Sequence, residues 1–360
     1  MSAWKQLFPV SDHTYSKKCN VDLSYNHYLA KKSIRNKPPL DQAAVDIKVP
    51  DHISCHLCND FVPHANTPTC FLCDVTIPIP PLNRYLESKN PHPRDSRIVS
   101  LEEPHVYFID GSCRNVLSST GFVHAFFPAF DQVATAKKIL NSKTFQKTGH
   151  RKSHKYYQCK NPEDVIQRWD HWRQLGTDLH DAIERFINGE DYTVCEENKK
   201  PFGHFMEFYN DKKFWHWNHL RTEWAIFDEE TRLAGKIDYC GIDPVTGYLI
   251  ILDWKRVGAI SDSCMKRWQG MAPDMGFGVC SDLESCKYIT YSLQLNTYKW
   301  ILEKNYNVYV KKMYLVQMHP KLKQPTLYKV PNLQDHVIQM AACRKLAIQQ
   351  HPTSTPMQSI

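Results

Sequence analysis

Residues 233–255, LAGKIDYCGIDPVTGYLIILDWK, decide the fold of this chain. Two apolar, β-branched runs are separated by the turn residues 244–247, which is the pattern of a β-hairpin. A turn symmetric about the middle of that segment makes Asp238 and Asp253 direct cross-strand partners, with Cβ atoms roughly 4.5–5.5 Å apart. Because adjacent carboxylates repel each other, this register predicts either a protonated acid or a cation between them.

The second strand of the hairpin ends in charged residues. Asp253 follows the apolar run 248–252, and an acid in that position is costly unless it opens onto a site. Lys255 lies two residues further on and therefore projects from the same face of the strand. A lysine beside a metal-bound carboxylate can position an attacking water or stabilise charge on a phosphate. The alternative is a solvated hairpin whose charges align by chance, since Asp-x-Lys alone is a common pattern.

The region around the hairpin alternates between helical and strand patterns. Residues 162–190 carry apolar side chains at a period close to 3.6, which predicts one long amphipathic helix or a pair of helices. Further patterns predict strands at 105–112, 222–230 and 308–319, a helix capped by Ser118 or Ser119, and helices at 292–305 and 333–350. Antiparallel strands followed by a crossover helix and a final strand predict an α/β fold around a mixed sheet.

Composition sets broad limits on the function. Apolar residues make up 42% of the 360 residues and aromatic residues 12%, which excludes a disordered chain. The net charge of +7 fits a polyanionic partner without requiring one. The chain has no apolar run of 18 residues or more, so we expect no contact with the membrane interior. Its start lacks a secretory core and contains Asp12, which favours the nucleus or cytoplasm over the mitochondrion.

Four short motifs follow one another along the chain. They are GTDLH (176–180), AGKIDY (234–239), ILDWK (251–255) and QLNTY (294–298). In this order and spacing they resemble the RecB-like branch of the PD-(D/E)XK nucleases, a branch that includes CRISPR-associated single-strand exonucleases and the mitochondrial genome maintenance exonuclease. The resemblance covers residues 105–320. It implies a restriction-endonuclease-like α/β/α core and a metal-dependent exonuclease that hydrolyses DNA at single strands or ends, in replication, repair or recombination.

The same resemblance implies a role for individual residues. The ligands that it implies for Mg²⁺ or Mn²⁺ are His180, Asp238, Asp253 and the backbone carbonyl of Trp254. Lys255 corresponds to the catalytic lysine, and Glu223 matches a frequent acidic position on the preceding strand. Gln294 and Tyr298, one helical turn apart, match residues that line the active site or the nucleic-acid path.

Two other functions stay open on the sequence alone. The chain could be a nucleic-acid-binding module without activity. Against this reading, all four residues to which the resemblance assigns metal binding or catalysis are present: His180, Asp238, Asp253 and Lys255. It could also be a nuclease that acts on RNA within a larger complex. Because the chain has no GxxxxGK[ST] motif, any unwinding of DNA requires a helicase or another replication or recombination partner.

A cluster of cysteines marks the N-terminal region, residues 1–76. Two CxxC pairs within residues 50–76 are separated by eleven residues, as in a zinc ribbon; they are Cys55, Cys58, Cys70 and Cys73. Four thiolates at this spacing predict tetrahedral Zn²⁺. An iron–sulfur cluster is the rival, but in the related nucleases one cysteine precedes the core and three follow it. The remaining cysteines are scattered, which suits a reducing compartment.

Four further segments complete the organisation of the chain. Residues 77–104 are rich in proline and charge and predict a linker before the nuclease domain at 105–330, and residues 331–360 predict a C-terminal helix and tail.

Residues 132–162 contain eight lysines and arginines and no acid, which predicts a strand-guiding surface or a solvated face. The residues predicted to bind nucleic acid there are Lys147, Arg151, Lys152, Lys155, Tyr156 and Tyr157. The insertion at 257–291 is either a gate over the site or an expanded surface loop, and it offers Lys266, Arg267 and Trp268 as contacts.

Overall fold

The structure, a computed structural model, describes residues 85–101, 106–211, 217–260 and 270–350. Its helices are α1 Tyr85–Lys89, α2 Ser119–His124, α3 Gln132–Leu140, α4 Lys143–Thr148, α5 Pro162–Asn188, α6 Lys199–Tyr209, α7 Lys287–Asn305 and α8 Gln334–Gln350. Its strands are β1 Ile98–Leu101, β2 Val106–Ile109, β3 Leu117–Ser118, β4 Asn218–Asp228, β5 Leu233–Ile242, β6 Leu249–Lys255, β7 Val310–Gln317 and β8 Thr326–Lys329. The predicted α/β fold is therefore confirmed. None of the described helices combines the length and the apolar composition that a membrane span requires.

A six-stranded mixed sheet forms the centre of the fold. Strands β4, β5 and β6 are antiparallel neighbours, and β7 lies parallel to β6 before β8 turns back along it. Parallel neighbours require a crossover, which α7 supplies between β6 and β7. The mixed sheet and its crossover helix therefore agree with the sequence prediction.

Helices cover both faces of this sheet. On one face, α2, α7 and α8 enclose the larger apolar core, in which Trp224, Leu295 and Val337 are fully buried. On the other face, α5 and α6 pack against Trp254 and its neighbours in a second core, with Ile183 and Phe205. Strand β6 lies between the two cores and contributes its alternate side chains to each of them.

The long helix α5 is a single helix, and both of its ends are capped. Asn161 and Asp164 form a reciprocal capping box at the start, and Pro162 occupies the first turn. The helix ends at Gly189, whose φ of 73° is a left-handed conformation that glycine adopts without strain. Ser118 caps α2 in the same way, by accepting a hydrogen bond from the backbone N–H of Gly121.

Part of the predicted linker belongs to the folded domain. Residues 85–101 form α1 and β1, with Leu86, Ile98 and Leu101 buried. Buried Arg221 on β4 holds this segment through Glu87 and other groups, so long-range packing outweighs the local proline and charge content. Helix α8 also contributes to the larger core rather than forming a detached tail.

Candidate functional site

Asp253 and Lys255 lie on one face of β6, as predicted. The Nζ atom of Lys255 is 2.7 Å from Oδ2 of Asp253. Asp253 is 1% exposed, and neither of its carboxylate oxygens accepts a hydrogen bond from the described residues. The carboxylate is thus held by an ion pair alone, which is an expensive arrangement for a buried charge.

The pairing of β5 with β6 from Tyr239–Leu252 to Ile242–Leu249 confirms the predicted register of the hairpin. Tyr239 pairs with Leu252, so Asp238 and Asp253 occupy the next cross-strand position. Asp238 accepts a hydrogen bond of 2.7 Å from the backbone N–H of Trp254. Burial and the neighbouring Asp253 raise the pKa of Asp238 to about 7.

Glu223 extends this pair of acids to a row of three. Thr222 pairs with Tyr239 on the β4–β5 ladder, so the next positions, Glu223 and Asp238, face each other. Glu223 has a φ of 43°, which is strained for a residue other than glycine and costs roughly 1–3 kcal/mol. Three adjacent strands therefore present one acid each at the same level of the sheet.

The strained position coincides with a break in the side-chain alternation of β5. Ile237 and Cys240 both enter the larger core although they are three residues apart. In a regular strand they would point to opposite faces. The break lies at Asp238, which faces Glu223, and it directs the carboxylate of Asp238 toward α5 at a point between the two cores.

His180 reaches these acids from α5. Its Nδ1 atom lies 3.5 Å from Asp238 Oδ2 and 3.8 Å from Glu223 Oε1, and its Nε2 lies 2.9 Å from the backbone oxygen of Trp254. Burial lowers the pKa of His180, but Asp238 and Glu223 outweigh this effect and raise it to about 9. The imidazole and the acids thus attract each other across the gap between α5 and the sheet.

The residues present fit a divalent cation. His180, Glu223 and Asp238 offer three ligand atoms that all lie within 4.8 Å of one another. The adjoining Asp253 contributes two buried oxygens that accept no hydrogen bond from the described residues. Carboxylate oxygens with a single imidazole suit Mg²⁺ or Mn²⁺. Compared with the predicted set, Glu223 joins the cluster, whereas Asp253 adjoins it without lying within that distance of all three ligand atoms. The carbonyl of Trp254 contacts the imidazole.

Helix α7 closes the site from the other face. Gln294 donates a hydrogen bond of 2.8 Å to the hydroxyl of Tyr298 and one of 3.2 Å to Thr120. The ring of Tyr298 lies directly against Gly235, where a Cβ would overlap that ring and lie 2.6 Å from Ser119 Oγ. Glycine at this position of the AGKIDY motif is therefore required by the close approach of α7 to β5.

One residue of the site is missing from the sequence prediction. The Nζ atom of Lys255 lies 4.5 Å from the ring centroid of Tyr291, in the first turns of α7. The sequence predicts this helix only from Ser292, whereas it begins at Lys287 and includes the end of the insertion. The spacing of Tyr291, Gln294 and Tyr298 on one helical face is the signal that could have identified it.

The basic stretch at 132–162 is a small folded unit with its own core. Tyr156 is 5% exposed, and its hydroxyl accepts a hydrogen bond of 3.1 Å from Trp169. The prediction that Tyr156 stacks on bases is therefore wrong, because its ring fills the core between α3 and α5. Tyr157 is half-buried, and the four basic residues predicted to bind nucleic acid are exposed: Lys147, Arg151, Lys152 and Lys155.

Two groups of predicted residues lie outside the described residues. They are the zinc ligands Cys55, Cys58, Cys70 and Cys73, and the insertion residues Lys266, Arg267 and Trp268. Both therefore stay predictions.

Comparisons with known proteins add little to this picture. No protein-family model matches the chain, and no curated protein matches it. Among solved structures, a candidate exonuclease from Eubacterium rectale is similar at 14% identity and a TM-score of 0.33, over 67% of this chain and 84% of that one. The protein SSO0001 is similar at 13% identity and a TM-score of 0.29, over 67% of this chain and 78% of that one. Scores this low carry no argument about function, which must come from the site itself.

Proposed function

We propose that this chain is a metal-dependent nuclease of the PD-(D/E)XK type, of the RecB-like branch, which hydrolyses phosphodiester bonds in DNA. The observation that carries the proposal is the pairing of buried Asp253, without a hydrogen bond from the described residues, with Lys255 at 2.7 Å beside the cluster of His180, Glu223 and Asp238. A fold gains no stability from such a concentration of buried acids, so a cation is the simplest reason for it.

The acids would hold the cation and Lys255 would act on the substrate. A bound Mg²⁺ or Mn²⁺ supplies Lewis-acid stabilisation of charge on a phosphate. Lys255 can direct its ammonium group at a phosphate oxygen or at the attacking water, because Asp253 and Tyr291 fix its position from two sides. Tyr298 and Gln294 would line the path of the nucleic acid beside this group.

DNA at single strands or ends is the proposed substrate, and Mg²⁺ the proposed cation. The exposed lysines and arginine of the segment 147–155 support a polyanionic partner, since cations on one surface can follow a phosphate backbone. Zn²⁺ at the N-terminal cysteine pairs, and a helicase or recombination partner, stay further parts of the proposal.

Cleavage of end-labelled substrates tests the proposal. Wild type and Lys255→Ala are incubated with single-stranded DNA, double-stranded DNA and single-stranded RNA, with Mg²⁺, Mn²⁺ or EDTA. We expect DNA cleavage that requires the cation and is lost in Lys255→Ala, while Lys329→Ala, an exposed control lysine on β8, retains it. Folded wild type that cleaves none of the substrates would overturn the proposal in favour of a binding module, and cleavage of RNA alone would redirect it to that substrate.

A further inference from the structure

A second group of basic residues lies where β6 and β7 end. The His319 cluster, as we name it, consists of Lys200, His204, Arg256, His319 and Lys321. Arg256 directly follows Lys255, the last residue of β6, but it contacts Asn198 and Glu197 beside the start of α6. The cluster therefore adjoins the proposed site on the side of α6, and none of its members belongs to that site.

Specific contacts hold these side chains in place. Arg256 donates from Nε to Asn198 Oδ1 at 2.6 Å and from Nη2 to the backbone oxygen of Glu197 at 3.2 Å. Lys200 donates to the backbone oxygen of Pro320, which connects α6 to the loop after β7. These contacts pre-orient a guanidinium and an ammonium group around the His319 ring, which reduces the entropy cost of binding an anion.

His319 itself presents a hydrogen-bond donor. Its Nδ1 accepts the backbone N–H of Lys321 at 3.2 Å, so the neutral ring carries its proton on Nε2. The Cε1 and Nε2 atoms would each lie 3.7 Å from a Cβ at Gly258, which is an exposed residue. The donor thus lies beside an exposed stretch of backbone, where a ligand can approach it.

Positive potential dominates this cluster. Burial, then Arg256, Lys321, His204 and Lys200, lower the pKa of His319 to about 4. His204 is 4% exposed, and its buried Nδ1 has no hydrogen-bond partner among the described residues.

Two acids face the cluster from neighbouring positions. Burial lowers the pKa of His204 and of Arg256, and the acids Glu207 and Glu197, respectively, oppose that effect. Glu197 is also paired with His171 at 3.0 Å, and both acids are largely exposed. Two screened acids therefore leave an excess of positive charge on the buried side of the cluster.

We propose that the His319 cluster binds a phosphate group of the nucleic acid, next to the phosphate that is cleaved at Lys255. The proposal rests on the proposed nuclease function and adds a second contact point for the same strand. An anion would accept hydrogen bonds from Arg256, His319 Nε2 and Lys321, and it would offset the repulsion among these groups. Both an internal phosphodiester and a terminal phosphate offer the required oxygens.

Binding of single-stranded DNA in EDTA tests this proposal without requiring cleavage. The probe is an oligonucleotide of about ten nucleotides, prepared with a 5′-phosphate, a 3′-phosphate or hydroxyls at both ends. The variant is the full chain with Lys200→Gln and Lys321→Gln, two exposed lysines. The matched control is Lys311→Gln with Lys312→Gln, which removes the same charge at the far end of β7.

We expect the Lys200/Lys321 variant to bind about tenfold more weakly than the control, the equivalent of one charge-assisted hydrogen bond. Its salt dependence should also fall by about one counterion. If affinity falls only for the oligonucleotide with one particular phosphorylated end, the cluster binds a terminal phosphate. If affinity falls equally for all three oligonucleotides, it binds an internal phosphodiester. Equal affinities of the two double variants would overturn the proposal, whether or not the protein cleaves DNA.

Discussion

Two buried aspartates in the same sheet have opposite surroundings. Asp228, at the end of β4, is fully buried and accepts hydrogen bonds from the N–H and hydroxyl of Thr231, from Lys304 at 2.7 Å and from Asn305 at 2.9 Å. Asp253, on β6, is 1% exposed, and the part of the chain that the structure describes offers it the ion pair with Lys255 and no further partner. Both are acids in largely apolar strands. Among the described residues, Asp228 has four hydrogen-bond donors, whereas Asp253 has a single charged partner.

This difference predicts that Asp228 stabilises the fold and that Asp253 takes part in the chemistry. A carboxylate with four donors stabilises the turn and helix that supply them. A buried carboxylate without donors destabilises the protein by itself, and such a residue persists where its charge has another use. Among the described residues, Asp253 meets this description. The comparison of Asp253 with Asp228 leads to predictions that can contradict it.

The largest expected effect is on catalysis by Asp253→Asn. Loss of this charge should reduce DNA cleavage by roughly 10³-fold, because both the cation and Lys255 lose their partner. The free energy of unfolding in EDTA should fall less than it does in Asp228→Ala, because relief of the repulsion between Asp253 and Asp238 offsets the loss of the ion pair with Lys255. Single-turnover cleavage and urea unfolding measure the two quantities. Retained activity together with a large loss of stability would reverse the assignment of the two aspartates.

A smaller effect, on the Mg²⁺ dependence of cleavage, is expected from substitution of Glu223. Glu223→Gln should raise the Mg²⁺ concentration for half-maximal cleavage by roughly 10–100-fold, the range for a lost partner of a metal site. Glu163→Gln, an exposed acid on the helix that carries His180, is the control and should leave the Mg²⁺ dependence unchanged. If the two variants behave alike, Glu223 lies outside the metal site.

Asp228→Ala should act on stability rather than on activity. Removal of the Asp228 carboxylate leaves Lys304 and Asn305 without the acceptor of their hydrogen bonds. It should therefore lower the free energy of unfolding by about 3 kcal/mol. Cleavage at a temperature where the variant is folded should match wild type. Glu230→Ala removes the other, exposed partner of Lys304 and should cost less than about 1 kcal/mol. Equal losses in the two variants would show that burial of Asp228 adds nothing.

The smallest effect is a pH dependence of stability. Burial raises the pKa of Asp228, but Lys304, Asn305 and Thr231 outweigh it and lower the value below that of the unfolded chain. The stability that Asp228 contributes is therefore complete above an unfolded pKa of about 3.9 and is lost as the pH falls through the folded value. Between pH 5 and 3, urea unfolding should show a shallower loss in Asp228→Asn than in wild type, by on the order of 1 kcal/mol. Parallel curves would contradict this account.

The sequence predicted the parts of the fold that depend on local patterns. The β5–β6 register follows from a short turn and period-2 alternation, and helix α5 from its capping residues and apolar period. Helix α6 was not predicted, because Pro201 and Gly203 in KKPFGHFMEFY resemble a loop. Its aromatic residues at helical spacing, which pack against Trp254, outweigh those two residues.

The candidate site was predicted only where its residues follow from one hairpin. Asp238, Asp253 and Lys255 share that hairpin, and His180 came from a resemblance. Asp228 could not be recognised as satisfied, because its donor Lys304 lies 76 positions away in sequence. Tyr156, between lysines, has the sequence pattern of a stacking residue, but its burial depends on contacts with α3 and α5 that no local pattern encodes.

Titration calorimetry with Mn²⁺ tests the central claim most directly. Wild type, Asp253→Asn and Asp228→Asn are titrated with Mn²⁺ in the absence of nucleic acid, at a temperature where all three are folded. We predict saturable binding by wild type and Asp228→Asn, and an affinity at least about tenfold weaker in Asp253→Asn. Equal affinities in all three proteins, or a loss only in Asp228→Asn, would contradict the claim that the unsatisfied acid marks the functional site.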